Sequence, residues 1–251
     1  MKIIDLSLPT EETPSERIGV KITYLSHAQG AEFLSTFFGS AKDDFPGGEA
    51  AAAESVSLDS HSGTHVDAPW HYAPTSEGRR ARTIDEMPPE WFFADGVVLD
   101  MRHKPAGAAV TVEDIAACLD RMAYAIKPFD IVLLQTGADK YWGKAEYADR
   151  GCGLLRESTL WLLGCGVKVI GTDAWGLDRP FWAMREEFTR TGKKDVLWAA
   201  HLAGIEREYC QIEKLAHLDE LPAPTGFKVA CFPVKLKGAG AGWCRAVAII
   251  G

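Results

Sequence analysis

Alternation of apolar and polar positions divides the chain into many short strands and a few helices. Residues 2–8 alternate as an opening strand, and the Pro9 to Pro14 stretch ends it with turn chemistry. Val20, Ile22 and Tyr24 share one face of a second strand over residues 18–25, and residues 54–58 alternate again. Short apolar runs at 96–100, 130–136 and 167–172 suit strands buried on both faces. Two helical patterns lie among them. Thr111 opens one with capping-box spacing and it runs to about residue 125; Gly164 and Gly166 close the other, over residues 158–165. Residues 84–91 read as a turn and a short helix, 176–182 as an aromatic loop, and 196–200 as a strand that delivers His201. Two closing strands, 228–236 and 243–250, face each other across a glycine-rich turn. The strand, helix, strand rhythm predicts an α/β core. Residues 26–53, rich in Gly and Ala, read as a variable loop of the length that forms a lid or a substrate wall. No repeat or linker interrupts the pattern, so one domain over 1–251 is expected.

Composition narrows the function classes. A chain of 251 residues buries a core without disulfide or metal staples, and 47% hydrophobic with 25% charged residues is ordinary globular usage. The formal net charge of -8 argues against a nucleic-acid partner, which wants a basic surface. No run approaches the ~18 apolar residues of a membrane span, and the N-terminus reads as a strand, not a signal peptide. No membrane partner and a cytoplasmic location are therefore expected. Six cysteines without a C-x-x-C pair read as reduced thiols.

The candidate chemistry is concentrated at residues 57–72, which hold His61, His65, Asp67 and His71 beside Gly63 and Pro69. Imidazole and carboxylate are the nitrogen and oxygen ligands of Zn2+ and similar ions. His61 and His65 have i, i+4 spacing, but Gly63 between them and Pro69 beyond argue against a helix. Asp67 is two residues past His65, so an extended segment aims both the same way. His71 need not join them and suits a nearby proton carrier. A polar loop with surface histidines is the plain alternative. Elsewhere His201 and Glu213 end apolar segments and are the best further partners. Asp59 and Thr64 are candidates for orienting the motif, and Asp173 and Asp178 for holding loops near it, with turn or helix capping the competing role. Of the tryptophans, some could wall an aromatic pocket, although core packing is the better reading of each. No Gly-x-Ser-x-Gly elbow supports a serine hydrolase. No Gly-x-Gly-x-x-Gly follows the first strand, and the glycines at 238–242 join strands where a phosphate cradle would open a helix.

The run His-Ser-Gly-Thr-His-Val-Asp-Ala-Pro-Trp-His at 61–71 matches H-x-G-T-H-x-D-x-P-x-H at every specified position. With the segment from His201 to Glu213, Gly-Thr-Asp at 171–173 and the opening Ile-Asp-Leu-Ser, it resembles the cyclase family of metal-dependent hydrolases, which includes kynurenine formamidase and isatin hydrolase. The resemblance covers most of the chain, with 26–53 its least similar part. It implies a swivelling β/β/α fold in which His61, His65 and Asp67 hold one divalent ion, Zn2+ or Mn2+. It also implies that Asp67 bridges to a second ion bound by His201 and Glu213, with His71 as catalytic acid and base. Isatin hydrolase-like members carry an amide at the position of Glu213 and favour one Mn2+; the carboxylate here leans toward two ions. A dication lowers the pKa of bound water from ~16 to ~7 and polarises a carbonyl, so hydrolysis of an amide-type C–N bond is expected, in an aryl formamide or a cyclic amide. Lactone hydrolysis, a metal-dependent cyclase or dehydratase reaction, and a non-catalytic metal or small-molecule binder are the alternatives. The partners so implied are a small aromatic or cyclic substrate and further copies of the chain, commonly as a homodimer whose neighbour lends aromatic residues to the pocket.

Overall fold

The apolar run Ile131–Gln135 is buried at every residue, and its alternate side chains feed two different cores. Ile131 and Leu133 join Val66, Val98, Ile212 and Val229, whereas Val132 and Leu134 join Ile115, Leu119, Leu154 and Leu162. A period of two sends successive side chains to opposite faces of a sheet, so a strand apolar at nearly every position must be covered on both. In the computed structural model, which describes residues 1–251, this strand lies at the middle of a nine-stranded sheet.

The nine strands are β1 (Lys2–Asp5), β2 (His65–Asp67), β3 (Phe93–Asp100), β4 (Ile131–Gln135), β5 (Val169–Thr172), β6 (Cys210–Glu213), β7 (Phe227–Ala230), β8 (Ala241–Trp243) and β9 (Val247–Ile250). Their spatial order is β1-β9-β7-β3-β4-β5-β6-β2-β8. β3 to β6 run parallel, and all other pairings are antiparallel. An isolated bridge between Ser7 and Leu215 ties the chain leaving β1 to the chain leaving β6, so the sheet curls toward itself. Helices Val112–Met122 and Arg156–Gly164 cover the face that carries Val132 and Leu134. The result is a mixed α/β fold in which no helix is long and apolar enough to cross a membrane.

Four local expectations change. Residues 196–200 are not a strand: a 3-10 turn at Lys194–Val196 leads to helix Ala199–Ala203, which carries His201. Trp198 takes the left-handed conformation (φ +55°) and ends any extended run, and the Asp178 carboxylate accepts the N–H groups of Ala200 and His201 at the helix start. Beyond the aromatic loop, Phe181–Thr191 is a helix that starts after Pro180 and stops at Gly192 in the left-handed conformation. Residues 26–53 are not a bare loop, because Ser26 and Gln29 form a capping box that opens helix His27–Phe38. That helix and the hairpin Lys21–Leu25 with Ala53–Ser57 make an arm outside the main sheet. The closing pair also divides: β7 stops at Ala230, short of Pro233, and pairs β9, while β8 leaves for the opposite edge and pairs β2.

Candidate active site

β2 is only three residues long, yet β6 and β8 flank it on both sides. Val66 enters the core, so His65 and Asp67 share the opposite face, where neither is solvent-exposed. Glu213 stands directly opposite His65 in the β6 register. Cross-strand neighbours of this kind lie side by side, and sheet pairing thus joins two polar groups far apart in the chain.

His201 comes to the same point from its short helix. Its Nδ1 meets Asp178 Oδ2 at 2.5 Å, which leaves Nε2 facing Glu213 Oε1 at 3.5 Å and Asp67 Oδ2 at 3.8 Å. His65 is fixed the same way: Nδ1 donates to the Gly63 carbonyl at 2.8 Å, and Nε2 lies 3.2 Å from Asp67 Oδ1 and 3.7 Å from Glu213 Oε2. Gly63 makes that turn at φ +62°, a conformation glycine adopts without strain. His61 Nδ1 approaches Asp67 Oδ1 to 2.8 Å, while Asp59 Oδ1 accepts the His61 N–H. His71 sits on the helical turn Pro69–Tyr72, with Nε2 4.0 Å from Asp67 Oδ2 and its ring centroid 4.0 Å from that of His61. The six predicted groups are thus brought to one cluster around Asp67.

The four orienting candidates do different things. Asp178 touches the cluster through His201. Thr64 Oγ1 donates to the Lys214 carbonyl at 2.5 Å and accepts from Leu8 N–H at 2.9 Å, pinning the motif between two strand ends. Asp59 caps the turn into His61, and its carbonyl accepts from Trp243 Nε1. Asp173 faces away from the cluster, taking N–H and O–H donors from Thr136 and the N–H of Gly137, and so holds the loop that leaves β4.

Charge follows this geometry. Burial alone would raise the Asp67 carboxyl, but the imidazoles of His65, His71 and His61 outweigh it and hold Asp67 well below the usual carboxylate range. Burial and the neighbouring Asp67 charge push Glu213 up. Burial lowers His71 to about 4, so its imidazole is neutral near pH 7. Burial opposes the charged forms of His61 and His201 as well, yet Asp67 and Asp178 respectively raise both.

Three buried polar atoms at the centre, His65 Nε2 and both Asp67 carboxylate oxygens, have no well-aligned hydrogen-bond partner, although His61 Nδ1 and His65 Nε2 lie 2.8 and 3.2 Å from Asp67 Oδ1. Such atoms are rare in folded proteins and call for a missing partner such as an ion. Ligands 2.0–2.2 Å from a tetrahedral ion lie roughly 3.4 Å from one another. The separations from His65 and His201 to Asp67 and Glu213, 3.2 to 3.8 Å, fit that spacing. The donors also fall into two overlapping groups, His61 with Asp67 and His71, and His65 with Asp67 and Glu213. Asp67 is common to both, but neither group is the division that the resemblance implies, which sets His61 with His65 and His201 with Glu213.

A cavity of about 200 Å³ opens over the cluster, with Trp175, Phe181, Met184 and Trp198 among its walls. Trp198 stacks on His201 with centroids 4.4 Å apart and planes 18° from parallel. No residue of 26–53 lines the cavity within one chain. Glu16 and Lys214 also line it and are absent from the candidates named from sequence. Neither belongs to a motif, and the only available signal is that Lys214 adjoins Glu213.

Known proteins resemble this chain in sequence and fold. The chain is 26% identical over 195 residues to a kynurenine formamidase of Erythrobacter litoralis (strain HTCC2594), which covers 76% of this chain and 74% of that protein. Its fold matches isatin hydrolase A from Ralstonia solanacearum with a TM-score of 0.78 at 21% identity, over 100% of this chain and 92% of that one. It also matches a structure described as a potential metal-dependent hydrolase with cyclase activity, with a TM-score of 0.64 at 20% identity, over 98% and 96% of the two chains. The Cyclase family model ("Putative cyclase") matches residues 4–179, and the chain belongs to that family.

Proposed function

We propose that this protein is a metal-dependent hydrolase that cleaves an amide-type C–N bond in a small aromatic or cyclic substrate. The observation that carries the reading is the set of unpaired buried atoms on His65 and Asp67, ringed by His61, His201 and Glu213 on the wall of an aromatic cavity. His61, His65 and Asp67 would hold one divalent ion, Zn2+ or Mn2+, and His201 with Glu213 a second that shares Asp67. Bound there, the ions supply Lewis acidity toward a carbonyl and an acidified water. The rest falls to the chain. Gly63 and Asp178 orient His65 and His201 by accepting hydrogen bonds from their Nδ1–H groups. His71 Nε2 takes the proton of the attacking water and returns it to the leaving nitrogen, which an amide needs in order to depart. Trp175, Phe181 and Trp198 bind a flat ring and exclude bulk water. The carboxylate of Glu213 adds the negative charge that favours two ions over one. Activities of similar proteins, a formamidase and an isatin hydrolase, support C–N cleavage. The same reading takes the working protein as a homo-oligomer joined through the arm, where Tyr24, Phe33, Phe37 and Phe38 are exposed.

Elemental analysis of protein purified without added ions, followed by assays with N-formylkynurenine, isatin and a small lactone before and after chelation, tests the reading. Bound divalent metal and chelator-sensitive cleavage of one of the first two are expected. Full turnover by metal-free protein would overturn it.

A further inference from the structure

Lys214 follows Glu213 on the cavity wall, and its side chain is only 3% exposed, beside Glu16 at 4%. A buried ammonium is costly unless it is paired and hydrogen-bonded. Here Nζ donates to Glu16 Oε2 at 2.6 Å and to the His61 carbonyl at 2.8 Å. The other Glu16 oxygen accepts the Gly63 N–H at 2.6 Å. Thr64 adds a cross-tie to the Lys214 carbonyl, and Lys214 itself sits at φ +60°, which a non-glycine residue keeps only where its surroundings hold it. One ion pair therefore closes a ring from His61 through Lys214 and Glu16 to Gly63.

Two features decide what the ring is for. His61 lies outside β2, and apart from the Asp59 cap this ring is what holds its backbone. A cation next to a cation site also weakens ion binding by repulsion, so a lysine here needs an offsetting role; Glu16 cancels its charge, and what remains is the set of bonds. We infer that Glu16 and Lys214 are positioning residues that clamp the loop of His61 onto the strand end of Glu213. The clamp sets the separation between the two halves of the ligand set. It rests on the metal reading given above.

The test is calorimetric titration of chelator-stripped protein with Zn2+ and with Mn2+, for the unsubstituted chain, Glu16→Gln, Lys214→Met and the double variant. The visible spectrum of the Co2+-loaded proteins, which reports coordination geometry, is read alongside. Each single substitution is expected to weaken binding about 10–100-fold and to shift the Co2+ spectrum, as loss of the bonds that orient ligands does elsewhere. The double variant should bind no more weakly than the worse single, because both break one ring. Affinities within twofold of the unsubstituted protein, with unchanged spectra, would overturn the clamp, and so would losses that multiply in the double variant. If Lys214→Met does not fold, Glu16→Gln, nearly the same shape, decides alone. An unsubstituted chain that binds neither ion removes the metal reading and the clamp together, whereas ion binding indifferent to both substitutions removes only the clamp.

Discussion

Asp67 is the side chain that the other members of the cluster face, and His71 is the member with the loosest hold on it. That difference separates ligand from proton carrier by experiment. His71→Ala should retain its metal by elemental analysis and lose about 10²–10⁴-fold in kcat, the usual worth of one general acid or base. Loss of metal along with activity would make His71 a ligand, a role its grouping with His61 and Asp67 permits. Residues at this scale are legible in sequence when their meaning is local. His61, His65, Asp67 and His71 fall within eleven positions, and the alternation of His65 and Asp67 states that they share a face. Glu16 and Lys214 are illegible for the opposite reason. Each alone is an ordinary charged residue, and their pairing exists only because the fold closes 198 positions of chain.

Elements marked by a continuous run of apolar residues are among those sequence predicts: β4 and β5 are found where the apolar runs lie. Helix Ala199–Ala203 escapes because five residues are too few to show a period, and its start is set by a carboxylate 22 residues earlier in the chain. Helix His27–Phe38 escapes because glycine and serine dilute its pattern, although its capping box is in plain view. Asp173 shows how elements are tied together. Lying just past β5, it holds the loop that leaves β4, and burial raises its carboxyl to about 7. Between the unfolded value near ~4 and about 7 the native state binds more protons than the unfolded one, so this group makes stability fall as pH rises through that window. Urea midpoints measured from pH 4 to pH 7 should show that slope, and Asp173→Asn should flatten it while lowering stability overall, since an amide cannot accept from all the donors now gathered there. An unchanged slope in the variant would mean that Asp173 is ionised throughout.

At the scale of the molecule, the arm is the part that the single chain does not explain. Phe33, Phe37 and Phe38 are 55%, 70% and 69% exposed, three large apolar side chains bare on one helix. If copies join through it, the unsubstituted chain should elute at the mass of a dimer or larger. Phe37→Glu should shift it to monomer without changing its circular dichroism. Elution of both at monomer mass would sink that assembly.

The pairing of β2 with β6 sets an order of events as well as a geometry. His65 and Asp67 are made early, but the strand that completes their site follows some 150 residues later, and β8, their other neighbour, later still. At ~5–20 residues per second, a ribosome needs roughly eight to thirty seconds to cross that gap. Through that interval the emerging chain carries three histidines and an aspartate with no sheet to hold them. If an ion binds this cluster as proposed, its capture belongs to the last stage of folding, and a chain cut short before β6 would be released with the motif intact in sequence and no centre built around it.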